Sequence, residues 1–437
     1  MDCRIQQKHA NKAKQTTKRT VSEAIRHYRI SRLPDGVLSH ILCFLPTRDA
    51  VQTTILCIRW KSQLFSIPNL DLDYNVLSRH VFEKFNDGVL SLHVSSNIQK
   101  FHLCIGGNYY INFGDEHLSR TSGWICKAMK HNIVELDLGI YSNTRFKDLE
   151  LPDSTDSFFT CKILVPLKVS SNCINLAPPP SASTCFPSLK SLHYSLCRPD
   201  SASVFDLLVS KCPVLEDLTI DAHIFAEDVY TLDIPAAGLK TFRFLGTSFV
   251  VGKKYSFSFN SPKLENLVVS DRAGLANYYF SNNAKAMVKA VIHFIHGYED
   301  DNINHVVRAP PLLEKVSGVK YLSLYSPRFS PRSLPCFNNL KRLEVGVFLC
   351  SYWGYVMELL KRSPSLESIV LDICTRTWAK QNYVEGHQPI NPPKDVPVCV
   401  SSYLKTIFII NFMGYDNEFD VVKYLMNNSK VLRRLFI

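Results

Sequence analysis

Residues 185–220 read CFPSLKSLHYSLCRPDSASVFDLLVSKCPVLEDLTI, and this stretch decides the fold because it contains the same short pattern twice. The pattern is apolar-x-x-apolar-x-apolar, which starts at Leu189 and starts again at Leu215. Its alternating end is typical of a short strand, and residues 203–211 between the two copies have apolar residues at helical spacing. One strand and one return segment therefore form a repeating unit.

The pattern recurs along most of the chain. Its clear copies begin at Ile98, Ile133, Leu164, Leu189, Leu215, Leu239, Leu264, Val319, Leu340, Leu366, Leu404 and Leu432. Between Leu164 and Leu264 the starting positions are separated by 25, 26, 24 and 25 residues. Met287 starts a weaker copy inside the gap of 55 residues before Val319. This period is typical of a leucine-rich repeat.

The physics of one unit requires its neighbours. Side chains alternate along a strand, so Leu218 and Ile220 should point inward while Asp217 and Thr219 point outward. A single unit cannot cover its apolar side, and successive units must stack to bury a continuous core. We therefore predict an α/β fold in which parallel strands form one wall of a curved leucine-rich-repeat solenoid.

Residues 30–73 read ISRLPDGVLSHILCFLPTRDAVQTTILCIRWKSQLFSIPNLDLD and have a different pattern. Apolar residues recur at helical spacing, and prolines divide the stretch into three short helices. We expect Pro34 at a first helical position, and Pro46 to end the first helix with Thr47 as the N-cap of the second. Helices this short cannot bury all of their apolar surface among themselves, so part of it should face a partner.

This stretch resembles an F-box, with LPD at 33–35, LP at 45–46 and RW at 59–60. The longer run is similar to plant F-box proteins that also carry leucine-rich repeats and a C-terminal FBD segment. In that family the F-box binds a Skp-type adaptor, which links it to a cullin–RING ubiquitin ligase. The resemblance implies an adaptor-binding face made of Leu33, Pro34, Leu38, Ile41, Leu42, Leu45, Pro46, Val51, Ile55 and Trp60. Gln63 and Leu64 depart from the family pattern, which commonly has an apolar residue and a second Trp there.

Residues 397–437 resemble the FBD segment of the same plant group, with PVC at 397–399, INF at 410–412 and YLMNN at 424–428. The pattern predicts a strand, a helix over residues 418–427 and a final strand, which together would cap the open end of the solenoid. The predicted organisation has four parts: a basic leader (1–29), an F-box (30–75), the repeat solenoid (76–396) and the FBD segment (397–437).

Charge and composition limit the alternatives. The chain has 437 residues and a net charge of +11, and residues 1–29 hold eight Lys or Arg against two acidic residues. This leader is predicted to be disordered, and its spaced basic residues leave a nuclear-localisation signal open; we expect a nuclear or cytoplasmic protein. The remaining charge gives little support to nucleic-acid binding.

No apolar run of 18 residues predicts a transmembrane helix, and no apolar segment near the N-terminus predicts a secretory signal. The 14 cysteines are therefore expected to be reduced thiols, and they contain no CxxC pair that would indicate zinc. We predict neither a metal nor a cofactor.

No motif of an enzyme is visible: GxGxxG, GxxxxGK[ST], GxSxG and HExxH are all missing. The chain is therefore predicted to recruit a target protein without catalysing a reaction. The recruiting surface should consist of outward-facing strand residues, of which we single out Asp217, Thr219, Arg243, Asn266, Tyr321, Tyr325, Arg342 and Glu344.

Two functions from different classes fit this sequence. The first is the substrate-recognition subunit of an SCF-type (Skp–cullin–F-box) ubiquitin ligase, which would act by proximity alone. The second is a non-ligase repeat scaffold or nuclear binding module, in which the N-terminal helices only cap the solenoid. A small-molecule pocket in the repeats is a third alternative that no convergent polar cluster in the sequence favours.

Overall fold

The computed structural model describes residues 33–55, 58–65, 67–74, 79–92, 98–106, 115–142, 149, 158–197, 201–222, 229–246, 254–272, 277–281, 285–295, 310–325, 334–347, 353–373 and 395–437. The basic leader (1–29) that we predicted to be disordered lies outside these residues.

Short strands dominate the described part of the chain. The strands are β1 (Asn69–Asp73), β2 (Lys100–Ile105), β3 (Glu135–Ile140), β4 (Pro166–Ser171), β5 (Ser191–Leu196), β6 (Asp217–Ala222), β7 (Val229–Ile234), β8 (Thr241–Gly246), β9 (Lys254–Phe259), β10 (Asn266–Arg272), β11 (Asn277–Phe280), β12 (Lys289–Ile295), β13 (Tyr321–Tyr325), β14 (Arg342–Val347), β15 (Ser368–Ile373), β16 (Thr406–Ile410) and β17 (Arg434–Phe436).

Helices flank these strands at both ends of the chain and return the chain between several of them. The helices are α1 (Asp35–Leu42), α2 (Thr47–Gln52), α3 (Ile58–Leu64), α4 (Arg79–Leu92), α5 (Asp115–Met129), α6 (Ser201–Ser210), α7 (Pro310–Lys315), α8 (Trp353–Lys361), α9 (Val398–Ser402) and α10 (Asp416–Asn428), and a 3₁₀ turn covers Thr53–Ile55. No helix within these described segments is both long and apolar enough to span a bilayer.

Within the described residues, one parallel sheet contains 14 strands in the order β1-β2-β3-β4-β5-β6-β8-β10-β12-β13-β14-β15-β16-β17. The repeat pattern sets its register, because equivalent positions of successive copies pair directly: Leu192 pairs with Leu218, and Leu218 with Phe242. These inward residues are fully buried. The predicted α/β solenoid with parallel strands is confirmed, and the weak copy at Met287 is a true strand, β12.

The return segments are of two kinds. Helix α6 confirms the helical return predicted over residues 203–211, and α8 confirms the one that the same spacing predicts over residues 352–362. In the middle of the solenoid the chain returns by strands β7, β9 and β11, which form a second parallel sheet in the order β11-β9-β7. Aromatic side chains join this sheet to the main one, as where Phe257 packs edge-on against Phe242. The return strands were not predicted; the alternation in KYSFSF of β9 was the available signal.

The first strand of the sheet belongs to the N-terminal stretch. Ile67, Leu70 and Leu72 form a further copy of the pattern, which was not among the predicted copies. Ile67 packs in the core of the three N-terminal helices, whereas Leu70 and Leu72 pack in the core of the solenoid. The segment from Ile67 to Leu72, which includes most of β1, therefore joins the two cores.

Two expected helix starts are wrong by one residue. Pro34 and Pro46 are themselves the N-caps of α1 and α2, because both have extended backbone conformations rather than helical ones. Thr47 is thus the first residue of α2, and its Oγ1 accepts a hydrogen bond of 2.6 Å from the backbone N–H of Asp71 in β1. Helix α2 covers the otherwise open edge of the sheet in this way.

The C-terminal prediction of a strand, a helix and a final strand is confirmed by β16, α10 and β17. Glu418, which is 1% exposed, fixes the turn before α10. Its Oε2 accepts hydrogen bonds from the backbone N–H groups of Met413 (2.9 Å), Gly414 (2.7 Å) and Tyr415 (3.2 Å). Gly414 has φ +84°, a left-handed conformation that glycine adopts without strain.

We predict that Thr47→Val lowers the free energy of unfolding by about 1–2 kcal/mol, because the N–H of Asp71 loses its acceptor at the sheet edge. Urea denaturation measures this loss. Thr54→Val is the matched control, since the hydroxyl of Thr54 donates only to the nearby carbonyl of Val51. Equal losses in the two variants would show that the link between α2 and β1 adds nothing.

Candidate functional site

The three N-terminal helices pack around a small core of their own. Leu38, Leu42, Ala50 and Trp60 are at most 3% exposed in this core. Three of the predicted adaptor-binding residues, Leu38, Leu42 and Trp60, are therefore buried and can act only by shaping the surface. Ion pairing reinforces this packing, because Arg59 of α3 lies 2.6 Å from the Asp35 carboxylate of α1.

Of the other seven predicted adaptor-binding residues, four are exposed and three are partly buried. Ile55 is 87% exposed and Leu45 is 37% exposed. Pro34 and Pro46 are exposed, whereas Leu33, Ile41 and Val51 are partly buried. None of the described residues covers this surface, so it is available to a partner.

Three further apolar residues of this helical unit are exposed. Val37 is 42% exposed, Phe44 76% and Ile58 87%, and none of them was predicted as a binding residue. Their apolar character was the available signal, but spacing alone did not separate outward positions from core positions. We call Phe44, Leu45, Ile55 and Ile58 the exposed F-box face.

The two departures from the family pattern have structural partners. Gln63 accepts a 2.7 Å hydrogen bond from the hydroxyl of Ser39, so it joins α3 to α1 by a polar contact. Leu64 is partly buried and packs against the helical core. Both side chains therefore take part in the packing of the three helices, although neither is the usual family residue.

The second candidate surface is the outward face of the main sheet. At its N-terminal end the outward residues carry alternating charges: His102 contacts Asp71 at 2.6 Å, and Lys168 donates to Asp137 at 3.1 Å. The hydrogen bond with Asp71 raises the pKa of His102 above its ordinary value. Further along, burial lowers the pKa of His193, with a smaller contribution from Lys168 in the same direction.

Four of the predicted target-binding residues lie on three adjacent strands in the centre of the sheet. Thr219 of β6 pairs directly with Arg243 of β8, and both point outward. Asp217 and Asn266 lie in a second row, on either side of Thr241. These four residues share one face, and Arg243 is exposed while the other three are partly buried.

The other four predicted target-binding residues are closer together. The hydroxyl of Tyr321 donates to Oε2 of Glu344 at 2.6 Å, and the hydroxyl of Tyr325 lies 3.1 Å from Oε1 of the same carboxylate. The guanidinium of Arg342 lies 5.9 Å from the centre of the Tyr321 ring. The structure therefore brings these four residues into one network on β13 and β14.

Asp372 of β15 completes this network, and it was missed because it lies one strand beyond. The hydroxyl of Tyr325 is 2.9 Å from its Oδ2, while the Asn411 amide donates to its Oδ1 at 2.8 Å. We call Tyr321, Tyr325, Glu344 and Asp372 the acid–phenol cluster. Burial raises the pKa of Tyr321 to about 12 and that of Tyr325 further, so both hydroxyls keep their protons at neutral pH.

A glycine allows the contact between Tyr325 and Asp372. Tyr325 of β13 must cross β14 to reach β15, and it does so over Gly346. A Cβ atom at position 346 would lie 2.7 Å from Cε1 of Tyr325 and closer still to Cδ1. The His293 ring packs against the same ring, with 4.4 Å between the two ring centres. Its Nε2 forms a hydrogen bond of 3.1 Å with Oγ of Ser323.

No group of three or more His, Cys, Asp or Glu side chains in the described ranges is arranged to hold a metal ion. The described cysteines are free thiols. Burial raises the pKa of several of them, as at Cys197 and Cys212, both to about 12. Those two thiols are therefore protonated at neutral pH and poor nucleophiles.

Comparison with known families agrees with this geometry. The F-box domain matches residues 30–71, the LRR repeats of FBD-associated F-box protein At5g56370 match residues 121–291, and the FBD family matches residues 391–437. F-box/LRR-repeat protein At3g59200 of Arabidopsis thaliana is 30% identical over 451 residues, which cover 94% of this chain and 82% of the relative. The chain is an F-box/LRR-repeat protein.

Two other relatives align with this F-box/LRR-repeat protein over most of both chains. Probable FBD-associated F-box protein At1g32375 is 27% identical, with 94% of this chain and 92% of the relative aligned. F-box/FBD/LRR-repeat protein At1g78750 is also 27% identical, with 93% of this chain and 88% of the relative aligned. Both are Arabidopsis thaliana proteins. The resemblance inferred from the sequence is confirmed, while the individual binding residues stay predictions.

We predict that Gly346→Ala lowers the free energy of unfolding by about 1–3 kcal/mol, because the added methyl group collides with the ring of Tyr325. Urea denaturation measures the change. Gly354→Ala is the control, since a Cβ at that helical position meets no atom within 4 Å; it should be neutral or slightly stabilising. A Gly346→Ala protein as stable as the parent would contradict the placement of Tyr325.

Two histidines should give opposite pH effects. The pKa of His102 is raised, so its stabilising contribution is present below pH 6.5 and is lost as the pH rises through the higher folded value. The pKa of His193 is lowered, so the folded protein loses stability as the pH falls through 6.5.

Urea denaturation at pH 6 and pH 8 tests both effects. The variant His102→Gln should be more destabilised relative to the parent at pH 6 than at pH 8. His193→Gln should instead improve relative to the parent at the lower pH. Parallel pH trends in the two variants would contradict the assignment.

Proposed function

We propose that this F-box/LRR-repeat protein is the substrate-recognition subunit of an SCF-type ubiquitin ligase. The observation that carries the proposal is the exposed F-box face, on which Ile55 and Ile58 are each 87% exposed. Such large apolar side chains on adjacent helices favour a protein partner. In an F-box, that partner is a Skp-type adaptor, which would connect the chain to a cullin–RING ligase.

The repeats supply the second surface that this function needs. The outward face of the sheet carries aromatic, charged and hydrogen-bonding side chains in fixed positions, which favour a target protein. A bound target would have its lysines held near the charged conjugating enzyme. The gain in rate would come from proximity, with no catalytic group on this chain. A nuclear or cytoplasmic location remains part of this proposal.

One observation favours a second function. Helix α2 covers the edge of β1 through the hydrogen bond from Asp71 to Thr47, so the F-box helices also act as the N-terminal cap of the solenoid. A repeat scaffold outside any ligase would need these helices for the same reason. The two functions differ in one property, since only the ligase subunit must bind an adaptor.

The decisive experiment measures binding of the full chain to a purified plant Skp-type adaptor by calorimetry. Leu45→Asp and Ile55→Asp should each weaken binding by roughly tenfold or more, because a carboxylate is costly to bury in an apolar interface. Val431→Asp is the matched control, since Val431 is 38% exposed against 37% for Leu45 and lies near the opposite end of the chain.

The parent chain and the control variant should bind the adaptor equally. Failure of the folded parent to bind would reject the ligase subunit and leave the repeat scaffold. Binding that survives both substitutions on the exposed F-box face would place the adaptor elsewhere on the molecule.

A further inference from the structure

The acid–phenol cluster has more acceptors than donors. The hydroxyl of Tyr325 lies 3.1 Å from Oε1 of Glu344 and 2.9 Å from Oδ2 of Asp372. A phenol has one proton, so it can donate a full hydrogen bond to only one of these oxygens at a time. Tyr321 and Asn411 each supply one further hydrogen bond. Each carboxylate oxygen can accept more than it receives here.

In addition, neither carboxylate has a basic partner at ion-pair distance among the described residues. Among the described residues, no Lys, Arg or His forms an ion pair with Glu344 or Asp372. Arg342 and Lys289 lie instead over the ring of Tyr321, Lys289 at 4.8 Å from its centre. His293 is close by, but burial lowers its pKa, so the ring is neutral at pH 7.

Other carboxylates of the same sheet differ in this respect. Glu367 lies 2.9 Å from the ammonium of Lys341 and 2.7 Å from that of Lys405. Glu216 contacts Lys240 at 2.8 Å. These two carboxylates are therefore paired with lysines, whereas Glu344 and Asp372 have no such cation and share a single phenolic proton.

We propose that the acid–phenol cluster binds an arginine side chain of the target protein. A guanidinium is planar, always charged and carries five N–H donors, so it can donate to Glu344 and Asp372 together. It would supply both the missing positive charge and the missing donors. This inference rests on the proposed function, because it names what the target presents to the repeats.

The cluster is held ready for such a ligand. The ring of Tyr325 is confined between His293 on one side and the backbone of Gly346 beneath it. Ser323, which is 2% exposed, forms a hydrogen bond with the His293 ring and so helps to hold that ring in place. The participating strands β12 to β15 are neighbours in one sheet. Fixed positions of this kind reduce the entropy lost on binding.

The test is calorimetric titration of the full chain with N-acetyl-L-arginine N-methylamide. The probe should bind the parent, and Glu344→Gln and Asp372→Asn should each weaken binding by roughly tenfold, because each removes one charged acceptor. Glu367→Gln is the control and should bind like the parent, since its carboxylate is already paired with two lysines. Urea denaturation of each variant confirms that it is folded.

Three results would overturn the inference. One is absence of probe binding to the folded parent. The second is equal binding by the corresponding citrulline derivative, which is similar in shape but uncharged. The third is equal binding by the lysine derivative, which would show that charge alone is recognised and not the planar guanidinium.

Adaptor binding, measured separately on the same protein, keeps this test apart from the proposed function. A chain that binds the adaptor but not the arginine probe remains a candidate ligase subunit without this site. A chain that binds the probe but not the adaptor retains the arginine site outside any ligase.

Discussion

The alignment of apolar side chains between neighbouring strands is the constraint on which the structure depends. No repeat has enough surface to enclose its own apolar residues, so each strand is stable only when the next strand places equivalent residues beside it. The pairing of Leu192 with Leu218 and of Leu218 with Phe242 shows this relation. The middle repeats meet the same requirement with a second sheet, where Phe257 and its neighbours fill the interior in place of a helix.

Stacked repeats leave an open edge at each end. An F-box helix covers the N-terminal edge, whereas Phe436 in the last strand is 46% exposed. At the N-terminal end, the hydroxyl of Thr47 in an F-box helix accepts a hydrogen bond from the backbone N–H of Asp71 in the first strand. At the C-terminal end, the Glu418 carboxylate accepts hydrogen bonds from three backbone N–H groups and fixes the turn that leads into the last helix. The F-box is thus part of the N-terminal end of the solenoid as well as the proposed adaptor-binding unit. This contact would set the position of a bound target relative to the adaptor.

The outward face of the sheet is free of the packing constraint, and the proposed target-binding residues lie there. Some carboxylates at this face have basic neighbours, as at Asp137 and Glu367. The acid–phenol cluster is different because Gly346 removes a side chain at the one place where Tyr325 must cross a strand. A small residue among larger ones therefore creates a polar site, although glycine itself contributes no functional group.

The sequence by itself determined the repeats, the parallel sheet, the F-box and the FBD segment, because periodicity and local motifs depend on residues close together in the chain. It also identified Tyr321, Tyr325 and Glu344 as outward residues, since alternation along a strand decides which side each one faces. Tertiary structure alone decided which apolar F-box residues are buried, as Leu42 is, and which are exposed, as Ile55 is. It also decided that Asp372 lies beside Tyr325, 47 positions earlier in the chain. The physical reason is that such contacts depend on how whole elements pack, and local periodicity does not encode that arrangement.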